Sequence, residues 1–223
     1  MRTIFVSAGH GGADFGAIGN GYIEKDLTVE QRDLIVKELK ILGAKVITDD
    51  NKNALAQTMR FIQNLSTEDW IMVDLHWNAF NAKSTGTEVF IPELPTAFEN
   101  ELATEIGIEI AKTLKIRNRG VLTESKSARK RLGWMRLKGE NILIETCFLS
   151  NPNDMDSYEE NKELLAKNIS KILFNAAKDD IYIVKLKDSL FKIAQENLTT
   201  VEKIKKDNKL TTNLLIVGQK LKL

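Results

Sequence analysis

The chain has 223 residues and a formal net charge of +1, from 32 Lys and Arg against 31 Asp and Glu. This balance excludes a strongly basic nucleic-acid packaging protein, and a content of 43% hydrophobic residues excludes collagen-like and disordered chains. A single cysteine, Cys147, excludes an intramolecular disulfide. No segment resembles a signal peptide or a transmembrane span, so we expect a cytoplasmic protein without membrane insertion.

Strand and helix patterns alternate along the first 178 residues. Apolar runs bounded by glycine, proline or polar residues predict strands, and apolar residues three or four positions apart predict helices. The predicted strands are Thr3–Ser7, Lys45–Thr48, Trp70–Leu75, Gly86–Ile91 and Asn141–Ile144, and the predicted helices are Leu27–Leu42, Ala54–Leu65, Glu99–Leu114 and Ser157–Ala177. A polar, basic stretch up to Lys130 carries no predicted element. The pattern predicts an α/β fold with a twisted, mostly parallel sheet flanked by helices, and ligands at the carboxyl ends of its strands.

The composition changes near residue 180. Residues 181–223 hold nine Lys, no Arg, two Asp and two Glu, a net charge of +5, which leaves −4 for the residues before them. We predict a domain boundary at Lys178–Asp180, between domains of residues 1–178 and 181–223. The second domain is predicted to be a small βααβ unit. Its predicted strands are Tyr182–Lys185 and Gln219–Leu223, and its predicted helices are Ser189–Asn197 and Val201–Asn208.

Both histidines of the chain, His10 and His76, directly follow a predicted strand. Parallel strands bring their carboxyl ends to one edge of a sheet, so both imidazoles are expected there. Glu24 precedes the first helix and Glu145 ends a buried strand, which places two carboxylates near the same edge. Each of the four residues also has an ordinary structural interpretation, as a satisfied histidine, a helix-start acid or a solvated strand end.

Two imidazoles and one carboxylate suit a zinc ion with its fourth position left open, as catalysis requires. In that arrangement His10, Glu24 and His76 hold one Zn²⁺, and Glu145 serves as the base. Zinc lowers the pKa of water to about 7 and polarises a carbonyl, while a nearby carboxylate moves a proton from the water to a leaving amine. The set therefore predicts amide hydrolysis.

Six of the thirteen glycines lie between Gly9 and Gly21, but their spacing matches neither the P-loop nor the dinucleotide fingerprint. We interpret them as positions where the backbone passes close to the metal site and its substrate. Cys147 is an alternative nucleophile with a histidine partner. A buried cysteine is, however, more often a small core residue.

Four motifs resemble the zinc-dependent N-acetylmuramoyl-L-alanine amidases of peptidoglycan turnover and phage lysis. In chain order they are Ser7–Gly12 (SAGHGG), Glu24–Leu27 (EKDL), Leu75–Ala79 (LHWNA) and Ile144–Asn151 (IETCFLSN). The resemblance covers roughly residues 1–178 and implies the same twisted, helix-flanked sheet, a phosphorylase/hydrolase-like amidase fold. Position by position it implies that His10, Glu24 and His76 hold zinc and that Glu145 is the catalytic carboxylate.

Three residues depart from the family pattern. Asp74 and Trp77 flank the second histidine where the family more often has serine and alanine, and Cys147 stands where glycine is common. We predict that Trp77 and Asn78 contact substrate. Asp74 shares a strand face with His76, so it either orients the imidazole or is an exposed strand-end acid.

The C-terminal stretch resembles a LysM module, which implies binding to N-acetylglucosamine-containing glycans of peptidoglycan. Lys187 stands where a glycine usually precedes Asp188-Ser189, and Lys209 where a small residue is frequent. The nine lysines either favour an anionic cell wall at contact range or form a solvated face.

The two resemblances together imply a peptidoglycan hydrolase that cleaves the amide between N-acetylmuramic acid and L-alanine. Without a visible signal peptide, we expect a phage endolysin that is kept in the cytoplasm and acts at the bacterial wall after release. Three alternatives stay open: a bacterial autolysin of the same chemistry, a zinc peptidase acting on the stem peptide, and a wall-binding protein without activity. No nucleic-acid partner is expected, and the sequence does not predict the oligomeric state.

Overall fold

The computed structural model describes residues 1–178, 181–197 and 199–223, apart from the side chain of Ile181. It divides into two compact units, residues 1–177 and 178–223. The boundary predicted at Lys178–Asp180 falls in part on residues 179 and 180, which lie outside the described residues. Among the helices of the described residues, none has an apolar stretch long enough to cross a bilayer.

The first unit is an α/β domain. Its strands are β1 (Ile4–Ala8), β2 (Ile18–Gly19), β3 (Tyr22–Ile23), β4 (Val46–Thr48), β5 (Ile71–Asn78), β6 (Thr87–Ile91), β7 (Asn118–Thr123) and β8 (Glu140–Phe148), and its helices are α1 (Glu24–Ile41), α2 (Leu55–Ile62), α3 (Ala97–Leu114) and α4 (Pro152–Ala177). Six strands form one sheet in the order β4-β1-β5-β8-β6-β7, and β2 and β3 form a separate hairpin. Only the β6–β8 pair of the large sheet is antiparallel. The predicted mostly parallel sheet flanked by helices is therefore confirmed.

Apolar side chains cover both faces of the sheet. One face packs against α1, α3 and α4, and the other packs against α2 and the segment around Trp134. The Trp134 ring stacks on Phe5 with ring centroids 6.0 Å apart, and its indole N–H donates to the Met72 carbonyl over 3.4 Å. All residues of β1 and β6 are buried. This continuous burial is typical of a sheet between two layers and explains the unbroken apolar runs in the sequence.

The structure corrects several predicted boundaries. β7 lies in the polar stretch for which no element was predicted, since an edge strand can keep exposed polar residues such as Asn118 and Arg119. β5 and β8 continue to Asn78 and Phe148, so His76 and Glu145 lie within strands rather than at their ends. These polar residues interrupt the apolar pattern because they face the site described below.

The second unit has the βααβ order that the pattern predicts. Its elements are β9 (Ile181–Ile183), α5 (Leu190–Glu196), α6 (Val201–Asp207) and β10 (Lys220–Lys222), and β9 pairs antiparallel with β10. Six buried side chains form its core: Val184, Leu190, Ile193, Ala194, Ile204 and Leu221. Ser189 caps α5 by accepting the Lys192 N–H over 3.2 Å, which satisfies one free N–H of the first turn.

Lys187 has a left-handed backbone, with φ at +69°. A side chain in this conformation costs about 1 kcal/mol or more, a cost that glycine avoids. We therefore expect Lys187→Gly to raise the free energy of unfolding of the second unit by about 0.5–1 kcal/mol. Lys187→Ala removes the same charge but keeps the strain, so it is the matched control. Amide hydrogen exchange at Ile204 and Leu221 in the full chain measures both, and equal protection in the two variants would contradict the strain argument.

Candidate metal centre

Three separate elements bring His10, Glu24 and His76 together. β1 and β5 are parallel neighbours with Ala8 opposite Leu75, so the residues that follow these positions reach the same edge of the sheet. His10 lies in the loop after β1, and His76 lies near the end of β5. The β2–β3 hairpin leads directly into α1, whose first residue is Glu24. The order of elements along the chain thus places two imidazoles beside one carboxylate.

The three side chains meet at one carboxylate oxygen. Glu24 Oε1 lies 3.2 Å from His10 Nε2 and 3.1 Å from His76 Nδ1. The imidazole rings are nearly perpendicular, with centroids 4.8 Å apart. Each residue offers one ligand atom, and these atoms all lie within 4.8 Å of one another. The spacing is short enough for one ion to replace the present contacts between the three groups.

Neighbouring groups hold each of these side chains in place. Glu24 accepts the Ala17 N–H at Oε2 over 2.7 Å and the Trp77 N–H at Oε1 over 3.1 Å. The second ring nitrogens face carboxylates, because His76 Nε2 lies 3.1 Å from Asp74 Oδ2 and His10 Nδ1 lies 3.1 Å from Asp14 Oδ1. An imidazole whose outer nitrogen faces a carboxylate is typical of metal-bound histidine.

The electrostatics of the cluster favour a positive charge between the three groups. Burial opposes the charged form of Glu24, but contacts with His10 and His76 hold its pKa well below the usual range. Burial also opposes a charged His76, yet the carboxylates of Asp74 and Glu24 raise its pKa well above 6.5. A divalent cation meets the same demand, and two imidazole nitrogens with one carboxylate oxygen form a donor set suited to zinc. The residues present therefore fit a metal ion.

Glu145 lies beside this cluster. It is directly opposite His76 on the neighbouring strand and directly opposite Glu88 on the other side. Its Oε2 atom is buried and accepts no hydrogen bond from the described part of the chain. Burial raises the pKa of Glu145 to about 7; the charge of His76 opposes this rise, and the charges of Glu24 and Glu88 add to it. A carboxyl group that titrates near neutral pH is suited to take up and release a proton.

A groove of about 790 Å³ opens beside these side chains. His10, Glu24, His76 and Glu145 all contribute to its lining. We call His10, Glu24 and His76 the metal-binding cluster, because they could hold one ion. An amide substrate in this groove would contact this cluster and the unpaired carboxylate of Glu145 at once. The arrangement is suited to metal-assisted hydrolysis with a neighbouring acid/base group.

The side chains next to His76 point to alternating faces of β5, so Asp74 and Asn78 share the face of His76 and Trp77 does not. Asp74 is fully buried and contacts the His76 ring, so the alternative of an exposed strand-end acid is wrong. Asn78 lines the groove and donates from Nδ2 to Glu88 Oε1 over 2.9 Å. The Trp77 side chain is only 2% exposed and packs edge-on against Tyr158, with ring centroids 5.2 Å apart. Trp77 adjoins the groove, but its side chain lies in the core on the opposite face of the strand from His76, so the prediction that this side chain contacts substrate is corrected.

Cys147 does not have the surroundings of a nucleophile. It is fully buried in the core on the helical side of the sheet, and its Sγ atom lies 4.0 Å from Met155 Sδ. Burial raises the pKa of the thiol well above its usual range, which keeps it in the unreactive protonated form. The alternative of a thiol nucleophile is therefore not supported by this position.

Two residues near the site were not singled out from the sequence. Glu88 is buried within β6 and accepts hydrogen bonds from Asn78 and from Arg119, whose Nε lies 2.7 Å from Glu88 Oε2. A charged residue inside the otherwise apolar stretch Thr87–Ile91 is a signal that could have identified Glu88. No comparable signal exists for Arg119, since arginine on an edge strand is common.

The contact between Asp74 and His76 gives a testable expectation. Asp74→Asn keeps the shape of the side chain but removes the charge that orients the imidazole, so we expect the dissociation constant for Zn²⁺ to rise about 10- to 100-fold. Competition with a chromogenic chelator measures this constant. Asp69→Asn, at an exposed position shortly before β5, serves as the control and should leave the constant unchanged. An unchanged constant in Asp74→Asn would exclude the orienting role.

Two family models match this chain. Residues 4–175 match the family model described as N-acetylmuramoyl-L-alanine amidase, and residues 182–223 match the LysM domain. The N-acetylmuramoyl-L-alanine amidase LytC of Bacillus subtilis is 29% identical over 162 residues, which cover 71% of this chain but only 32% of LytC.

Solved structures show the same fold. The N-acetylmuramoyl-L-alanine amidase from Clostridium difficile 630 superposes with a TM-score of 0.65 at 24% identity, over 78% of this chain and 95% of that chain. The catalytic domain of the CD27L endolysin targeting Clostridia Difficile superposes with a TM-score of 0.61 at 22% identity, over 78% of this chain and 98% of that one. Since the family model extends over well more than half of the sequence, this chain belongs to the N-acetylmuramoyl-L-alanine amidase family.

Proposed function

We propose that this chain is a zinc-dependent peptidoglycan amidase that hydrolyses the bond between the lactyl group of N-acetylmuramic acid and L-alanine. The observation that carries the proposal is the convergence of His10, Glu24 and His76 beside the unpaired carboxylate of Glu145, at a groove in a member of this family. Membership of the amidase family supports the class of substrate, and the four side chains support a metal-assisted hydrolysis.

In this proposal, some residues of the site bind a metal ion and another transfers a proton. His10, Glu24 and His76 would hold the zinc, which would supply polarisation of the scissile carbonyl and a water that ionises near pH 7. Asp74 keeps the His76 imidazole oriented through its outer nitrogen, and Asp14 places a negative charge 3.1 Å from the outer nitrogen of His10. Glu145 accepts the proton of the attacking water and then delivers it to the departing nitrogen of L-alanine.

The second unit would hold the enzyme on its substrate. The match of residues 182–223 to the LysM domain supports binding of this unit to N-acetylglucosamine-containing glycan. Its charge of +5 adds attraction to an anionic wall only at short range, since physiological salt screens charges over about 8 Å.

Digestion of purified sacculi by the full chain tests the reaction. Mass spectrometry should find complete stem peptides with a free L-alanine amino group and uncut glycan strands. Chelation should remove the activity and added Zn²⁺ should restore it. Peptides cut at an internal bond, with L-alanine still attached to muramic acid, would favour the stem-peptide peptidase instead, and intact sacculi would favour a wall-binding protein without activity.

We further propose that the protein acts as an endolysin, kept in the cytoplasm until the membrane is opened. The fusion of a catalytic domain to a wall-binding module supports this setting, although a bacterial autolysin has the same chemistry. Cells that express the full chain should grow normally and lyse once their membrane is permeabilised. Lysis before permeabilisation would contradict the proposal.

A further inference from the structure

Basic side chains line the groove beyond the metal centre. Arg119, Lys126, Arg129 and Arg131 contribute to its lining, together with the metal-binding cluster. Apart from Glu145, the acidic residues of the groove have partners among histidines or other side chains, as in the pairs Asp74–His76 and Glu88–Arg119. The groove thus combines a site for a cation with a separate positively charged wall.

Arg119 is largely neutralised by its contacts. Its Nε donates to Glu88 Oε2 over 2.7 Å, and its guanidinium carbon lies 5.1 Å from the centre of the Phe148 ring. These contacts fix the side chain at the rim of the groove. The remaining positive charge of the wall therefore comes mainly from the loop that follows β7.

That loop is anchored at both ends. At its start the buried Glu124 accepts the Leu132 N–H over 2.8 Å and pairs with Arg136, and Ser127 Oγ donates back to the Glu124 carbonyl over 2.7 Å. At its end Trp134 is buried against Phe5. Ordered anchors reduce the entropy that the loop loses when a ligand binds.

Between these anchors, Arg129 and Arg131 are exposed and line the groove. In the described part of the chain, no acidic side chain lies within ion-pair distance of either guanidinium. A guanidinium offers a planar set of N–H donors that matches a carboxylate, and the hydrogen bonds are strengthened by charge. The two arginines are therefore available to an anionic ligand in the same groove as the metal-binding cluster.

We propose that Arg129 and Arg131 bind carboxylate groups of the stem peptide and make the enzyme prefer peptides with free carboxylates over amidated ones. This inference rests on the proposed function, which brings the scissile amide to the metal-binding cluster and the stem peptide into the groove. The N-acetylated sugars next to that amide are uncharged, so the peptide is the part of the substrate that carries the negative charge. Binding at the arginines would select among substrates without taking part in bond cleavage.

A matched pair of soluble substrates tests the preference. The pair is N-acetylmuramoyl-L-alanyl-D-glutamate with a free α-carboxylate and the same compound with an α-carboxamide. The zinc-loaded full chain should hydrolyse the free acid with a kcat/KM about ten-fold higher, as expected for a charge-assisted hydrogen bond. Arg129→Gln/Arg131→Gln should bring the ratio close to one, mainly by raising KM for the free acid. A general structural defect would lower both rates equally and leave the ratio unchanged.

Lys130→Gln is the control, because Lys130 is an exposed basic residue of the same loop that lies outside the groove lining. It should keep the ten-fold preference. Calorimetric titration with the dipeptides L-Ala-D-Glu and L-Ala-D-isoglutamine gives a second measure, with tighter binding of the acid only while both arginines are present.

Equal kcat/KM for the two substrates, or an equal loss on both in the double variant, would overturn the inference. In that case, inhibition by a soluble polyphosphate that disappears in the double variant would assign the arginines to an anionic wall polymer. If the wild-type chain hydrolyses neither substrate, the proposed function fails, and the dipeptide titrations still decide whether the arginines select carboxylates.

Discussion

Glu145→Gln should lower kcat for amide hydrolysis about 10²- to 10⁴-fold while one Zn²⁺ per chain stays bound. Gln has the same shape as Glu but cannot accept a proton from water or return it to the leaving nitrogen. The metal-binding cluster does not depend on this carboxylate, because Glu24 and the two histidines contact each other directly. The stability of the fold should change little, since burial already disfavours the charged form of Glu145.

Glu140→Gln is the matched control for this variant. Glu140 begins the same strand, five residues before Glu145, and its carboxylate contacts Arg2 and Thr96 away from the groove. Turnover and zinc content should both be kept in that control. Steady-state kinetics together with metal analysis of the purified proteins provide the measurement. Turnover that survives in Glu145→Gln with zinc bound would assign the base to another group, and loss of zinc would make Glu145 a ligand.

Gly16→Ala should raise the dissociation constant for Zn²⁺ on the order of 100-fold and remove most of the hydrolytic activity. A Cβ atom at Gly16 would lie 2.6 Å from Glu24 Oε2 and 2.8 Å from His10 Cδ2, so two of the three metal-binding side chains would have to move. Gly16 also has φ at +64°, a left-handed conformation that alanine adopts only at a cost of about 1 kcal/mol.

Gly21→Ala separates these two effects. Gly21 also has a left-handed backbone, with φ at +80°, but a Cβ atom there would meet nothing within 4 Å. Both variants should therefore lose similar conformational stability, while only Gly16→Ala loses zinc affinity. Chelator competition gives the affinities, and chemical denaturation gives the free energies of unfolding. Equal zinc affinity in the two variants would show that the close approach of Gly16 to Glu24 and His10 is not needed for metal binding.

In the glycine-rich segment, the sequence pattern predicts that the backbone approaches a site, but it does not predict which glycines make the approach. The density of glycines between Gly9 and Gly21 predicts close approach of the backbone to a site. The structure specifies which glycines are involved: Cβ atoms at Gly9 and Gly16 would meet His76 and Glu24, whereas one at Gly21 would meet nothing. This distinction depends on atoms that are 8 to 67 positions away in the chain.

The sequence by itself determined the order of most strands and helices, because burial between two layers imposes apolar runs and helical spacing that depend on near neighbours. It also determined which side chains could supply metal-binding and acid/base chemistry, since only two histidines exist. Only the tertiary structure decided that His10, Glu24 and His76 meet at one oxygen, that the Trp77 side chain lies in the core, and that β7 carries Arg119 to Glu88. These relations depend on contacts between segments that are far apart in the sequence, and patterns of polarity among near neighbours do not specify such contacts.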